Sequence, residues 1–162
     1  MSTKNDYTPE EWKSITGAPY LAGLFITMVD PSGIGGVMKE ALAVGTAVAE
    51  AGATSQTEVI KSLVEGLKEA GFKAKAELPD LPKGDLAAAK AAMAGHVQKA
   101  IAAISAKSPS EAEAYKTWLM GAAKKVSEAA KEGGFLGFGG TLVSDTEQAA
   151  LKELADTLGL KR

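Results

Sequence analysis

The chain has 162 residues, with 18 Lys+Arg against 20 Asp+Glu, one His and no Cys. That length suits one domain of roughly 100–200 residues with its own core. The missing cysteines exclude a disulfide framework, a thiolate nucleophile, Cys-ligated zinc and an iron–sulfur cluster, and a lone His96 rules out any pair of imidazole ligands.

The charge balance gives no footprint for nucleic acid. The formal net charge is −2, 17 of the 18 basic residues are Lys, and the one Arg is Arg162. Arg is the residue suited to bidentate phosphate and base-edge contacts, so no nucleic-acid partner is expected. Residues 1–12 are polar and lack the basic and apolar regions of a secretory signal. The longest apolar stretch, 18–29, holds about 12 residues where a membrane span needs about 20. A cytoplasmic protein with no membrane span is expected.

Helix formers dominate, with 30 Ala among them, and no segment alternates β-branched and polar residues as a strand would. The first helix opens at Thr8-Pro9-Glu10-Glu11, where Thr8 and Glu11 make a capping box and Pro9 fits the first turn. Pro19 lacks an N–H and is predicted to bend or break this helix near Ala18. Leu21, Leu24, Phe25 and Met28 resume the helical stripe, which stops at the turn Asp30-Pro31-Ser32-Gly33. A second helix is predicted over about 36–51. A third spans about 55–70, with Val59, Ile60, Leu63, Val64 and Leu67 inward and Gly71 as its C-cap.

Residues 72–84 carry Pro79 and Pro82 and no helical period, and are expected to form an ordered crossing. Asp85 then caps a fourth helix to about Lys107, its inward stripe being Leu86, Met93, Val97, Ile101 and Ile104. Ser108-Pro109-Ser110-Glu111 starts a fifth, with Tyr115, Trp118, Leu119 and Val126 inward, ending at Gly133-Gly134. A second capping box, Ser144 with Glu147, opens a last helix through Leu151, Leu154 and Leu158 to Gly159. The fold class expected is all-α: a single compact bundle of about six helices over 1–162. Two related helical halves, 8–71 and 85–159, are the other organisation the pattern allows, since Gly33-Ile34-Gly35-Gly36 is echoed by Gly137-Phe138-Gly139-Gly140.

From Gly134, the spacing G-x-x-x-x-G-x-T mimics a phosphate-binding loop, but Gly140 stands where the Lys must be and no strand precedes it. Gly35, Gly36, Gly139 and Gly140 retain a weaker capacity, since consecutive backbone N–H groups before a helix can cradle an anion. The same glycines also serve as tight turns. Phe135, Leu136, Phe138 and Leu142 offer an apolar surface for a partner or ligand, or a plug for the bundle end. Asp30 is a single carboxylate in a turn, and His96 has neither the Glu-x-x-His context of a diiron bundle nor a nucleophile motif beside it. Glu111/Glu113 and Glu128/Glu132 are accounted for as surface acids, Glu128 pairing with Lys124, Lys125 or Lys131. No metal, cofactor or catalytic residue is expected.

Thr-Pro-Glu-Glu-Trp at 8–12, Ala-Pro-x-Leu-Ala-Gly-Leu at 18–24, Asp-Pro-Ser-Gly at 30–33 and the Gly-rich run at 128–140 resemble a group of small bacterial helical proteins of unassigned function. A remoter similarity is to tellurite-resistance TerB-like domains, whose acidic turn after the first helix contacts metal; here Pro31 and Ser32 replace such ligands. The resemblance implies a bacterial, intracellular helical fold and carries over no activity. The expected function is a non-enzymatic interaction module that forms a homo-oligomer or docks on a protein partner. The alternative is a carrier for a small apolar ligand such as a lipid or pigment, with Met28, Met38, Met93 and Met120 lining a cavity.

Overall fold

A computed structural model describes residues 2–29, 45–46, 48–50, 52–53, 55, 57–69, 79–132 and 144–160, the side chains of 129–132 excepted. Among them the fold is all-α, with no strand. A 3-10 turn, Lys4–Asp6, leads into α1, Pro9–Thr27; α2 is Glu58–Glu69, α3 Leu86–Lys107, α4 Pro109–Glu132 and α5 Asp145–Leu158. Residues 45–46, 48–50 and 52–53 are also helical. The central contact is α1 against α3 and α4, with α5 lying against all three.

The helix starts follow the expected chemistry. Thr8 accepts from the Glu11 amide at 3.2 Å while the Glu11 carboxylate accepts from the Thr8 amide at 2.8 Å. Ser144 and Glu147 repeat this pair at 3.3 and 2.8 Å, and Asp85 accepts from Ala88 N at 2.9 Å. Each device satisfies N–H groups that the first turn of a helix leaves without partners. At the other end of α5, Gly159 takes φ +66°, the left-handed conformation that closes a helix.

Pro19 does not break the helix: α1 runs unbroken from Pro9 through Thr27. A proline at position 19 withholds the amide that would bond the Ile15 carbonyl. That carbonyl instead accepts the Tyr115 hydroxyl of α4 at 2.5 Å. Tyr115 is fully buried, and burial followed by the charge of Tyr7 drives its hydroxyl well above the usual phenol range, so it remains a donor. Pro19 is buried as well.

The core gathers residues from every described helix: Ile15, Leu21, Phe25 and Ile26 of α1; Ile60 and Leu63 of α2; Met93 and Ile104 of α3; Tyr115 and Leu119 of α4; Leu154 and Leu158 of α5. Leu86 departs from its predicted inward place, because it opens α3 at the rim and is 46% exposed. Ile101 and Leu151 pack only partly against the core. All five predicted inward residues of α2 are buried. Lys125, expected to serve Glu128 on its own helix, reaches a different element and pairs with Glu50 at 3.1 Å. Close approach is specified at Gly52, where a Cβ would overlap Val64 Cγ2 of α2.

Two outcomes follow from this packing. Tyr115→Phe should lower stability by about 1–3 kcal/mol, the cost of an unsatisfied buried carbonyl. Urea denaturation should show that loss shrinking in a Pro19→Ala background, where the substituted residue supplies the missing amide. Gly52→Ala should destabilise by about 1–3 kcal/mol through overpacking against a β-branched side chain, and Val64→Ala in the same chain should recover part of it.

Candidate functional site

The residues singled out from sequence for binding, Phe135, Leu136, Phe138 and Leu142 with Gly35, Gly36, Gly139 and Gly140, lie outside the described residues, as do Asp30 and Met38. The described helices form a different site. A groove of ≈ 900 Å³ runs between the N-terminal turn with α1 and the outer side of α2. Tyr7, Trp12 and Tyr20 supply its aromatic surface and Leu63 and Leu67 its aliphatic surface. Its charged groups are divided by wall: Lys4 and Lys13 on the first, Glu65 and Glu69 on the second. Tyr20 is buried, and its hydroxyl has no hydrogen-bond partner among the described residues. Burial raises its pKa, so the hydroxyl stays neutral beneath the groove.

What holds the two walls apart at a fixed spacing is a carboxylate that sequence assigned to the surface. Glu111, in the first turn of α4, is 4% exposed. Its Oε2 accepts from Ser2 N at 2.6 Å and from Ser2 Oγ at 2.8 Å, and its Oε1 accepts from Glu58 N at 2.9 Å. Because Ser2 Oγ spends its proton on Glu111, the Tyr7 hydroxyl donates to it, at 2.5 Å. Glu111 thus lies against the N-termini of α2 and α4, whose free N–H groups and dipoles favour a negative charge. Burial pulls its pKa upward, but hydrogen bonds from Ser2, Ser108 and Val59 together outweigh this and hold it below the usual carboxylate range.

Around this knot, Lys107 reaches Glu11 at 3.5 Å and lies 5.5 Å from the centre of the Tyr7 ring, which stacks obliquely on Trp12 at 5.9 Å. The aromatic surface is therefore fixed from below by hydrogen bonds and from the side by cation–π and ring contacts.

A second, smaller cleft of ≈ 430 Å³ lies between α1, α3 and α5, lined by Phe25, Leu86, Ala91 and Ala94 and by the ion pair of Lys90 with Glu153. Lys90 Nζ sits 4.7 Å from the centre of the Phe25 ring. Among the described residues, neither cleft is lined by methionine: Met93 is fully buried in the core, and Met28 and Met120 pack beside it. His96 is half-buried on α3 and lines neither cleft; burial, then the nearby Lys99 ammonium, lowers its pKa and keeps the ring neutral at pH 7. Among the described residues, no group of three or more His, Asp or Glu could hold a metal, and no helix is long and apolar enough to cross a membrane.

Glu111 was legible only in part. Ser108-x-x-Glu111 is the spacing of a helix start, but its convergence with Ser2 and Glu58 depends on contacts more than 50 residues apart in the chain. No signal marks Tyr7 and Tyr20 as groove residues until α2 is placed opposite them. No family model, curated protein or solved structure matches the chain.

The carboxylate network has a pH signature. With a depressed folded-state pKa, Glu111 contributes stability fully above its usual value of 4.5 and loses it as pH falls through the folded value. Glu111→Gln should cost about 2 kcal/mol or more at pH 7, because hydrogen bonds to a charged acceptor are lost. The difference between wild-type and variant melting temperatures should shrink as the pH is lowered from 6 toward 3.

Proposed function

We propose that this protein is a non-enzymatic helical interaction module that receives its partner in the groove between α1 and α2. The observation that carries this is the makeup of the groove: three aromatic side chains and two leucines inside, with lysines and glutamates among the remaining lining residues. Aromatic anchors in a desolvated centre with a charged rim are the composition of protein-binding surfaces. Their pre-ordering by Glu111, Ser2 and Lys107 reduces the entropy that binding would otherwise cost.

Support for a binding rather than a catalytic role comes from how the titratable groups are used. The buried carboxylate is saturated with hydrogen-bond donors, and His96 lies on another face. General acid–base work needs such a group within reach of a substrate.

A photo-crosslinking residue placed at Ser62, in the α2 wall, tests the proposal in cells. An adduct of discrete mass is expected, lost when Trp12→Ala is added and not formed from a control position at the exposed Gln98 of α3. Absence of any adduct from Ser62, or equal labelling from both positions, would sink it.

A further inference from the structure

Residues 2–7 lie as a short strap against α2 and the first turn of α4. Ionised carboxylates hold it at three points. Glu111 accepts from Ser2 N and Oγ at 2.6 and 2.8 Å. Within the strap, Asp6 accepts from Thr3 N and Oγ1 at 2.7 and 3.0 Å. At its exit, Glu11 accepts from Thr8 N at 2.8 Å and pairs with Lys107 at 3.5 Å. Of the strap residues only Ser2 and Tyr7 are buried, and the Tyr7 hydroxyl bonds to Ser2 Oγ. The helices beneath are held differently. Tyr115 and the apolar core fix α1 to α4, and five buried apolar residues fix α2. Those contacts involve no ionised group.

On this geometry we propose that residues 2–7 are an acid-released strap: protonation of Glu111, joined by Asp6 and Glu11, frees the segment while the helices stay packed. A protonated Glu111 presents an O–H toward Ser2 groups that are themselves donors. Released, the strap withdraws Thr3, Lys4, Asn5 and Tyr7 from the groove, opening it beside Leu63 and Leu67, which are at most 4% exposed. The device stands whatever the groove receives.

Around Glu111 stand Asp6 and Tyr7 of the strap, Glu11 of α1, Glu58 of α2 and Lys107 of α3. Glu58 pairs with Lys61 of its own helix at 2.9 Å. Burial raises the pKa of Glu111, but the hydrogen bonds it accepts outweigh this and lower it. Hydrogen bonds from Thr3 lower that of Asp6, and those from Thr8, followed by Lys107, lower that of Glu11. Each carboxylate therefore holds the strap fully above its usual pKa and lets go as pH falls through its lower folded value.

Amide NMR of the full chain, titrated from pH 7 to 3, reads strap and core separately. The amides of Asp6 and Tyr7, bonded to Thr3 O and Lys4 O when closed, and the Trp12 indole beside Tyr7 should shift in a step below pH 4.5. Residues 21–26 of α1 and 119–123 of α4 should keep their folded signals through that step. Glu111→Gln carries one acceptor and one donor group, as the protonated acid does. At pH 7 its Asp6 and Tyr7 amides should exchange with solvent at least about tenfold faster than in the wild type, with 21–26 and 119–123 unchanged. Ser2→Ala removes one donor to the anion and should move the step upward by about one pH unit. Loss of strap and core signals in a single step, wild-type protection of the strap in Glu111→Gln, or a midpoint indifferent to Ser2→Ala overturns the proposal. Should Glu111→Gln fail to fold, the wild-type titration and the Ser2→Ala midpoint decide it.

Discussion

The hydrogen bond from the Tyr115 hydroxyl to the Ile15 carbonyl is the contact on which the arrangement of α1 depends. A buried carbonyl without a donor costs about 1–3 kcal/mol, and Pro19 creates one in the middle of the helix that forms the centre of the bundle. The donor comes from α4, 100 residues away in the chain. A defect local to one helix thereby becomes a requirement on how two helices are placed. Unbroken passage through Pro19 in turn lets Ile15, Leu21, Phe25 and Ile26 share one core with α3, α4 and α5.

Glu111 lies one helical turn before Tyr115 on α4, so the two side chains project from the same face. Tyr115 holds α1, while Glu111 holds the Ser2–Tyr7 segment and the first amides of α2. Both walls of the groove are therefore suspended from a single turn of one helix. This explains how a groove lined by short segments distant in sequence keeps a defined shape. It also explains the ionised state of Glu111: desolvation alone would favour the neutral acid, but the donors converging on it belong to helix ends that gain from an anion.

The residues around the groove differ in how fully they are occupied. Lys107, Ser2, Glu111 and Tyr115 are occupied in holding the aromatic residues in place. Trp12 is only half-buried, and it shares the groove with the exposed side chains of Lys4, Glu65 and Glu69. The aliphatic residues Leu63 and Leu67 serve both, being core residues on one side of α2 and groove lining on the other. The second cleft is built differently, with an ion pair across it and a cation over its one aromatic ring.

Much of the helical layout was legible in the sequence because it depends on local chemistry. Capping at Thr8, Asp85 and Ser144 and the inward stripe of α2 require only neighbours three or four residues away, and these appear where the spacing predicts them. A break at Pro19 was expected from a local rule, which takes no account of the distant donor that offsets the missing amide. Glu111 was misread as a surface acid because its partners lie on Ser2 and Glu58, and Leu86 as an inward residue because periodicity does not reveal where a neighbouring helix ends. Residue order was enough to make the described chain helical and to set where most of its described helices start. The path of α1, the buried charge and the groove came into being only when the helices packed. Helix propensity and capping act within a turn, whereas satisfying a buried carbonyl or carboxylate depends on which donors folding brings beside it.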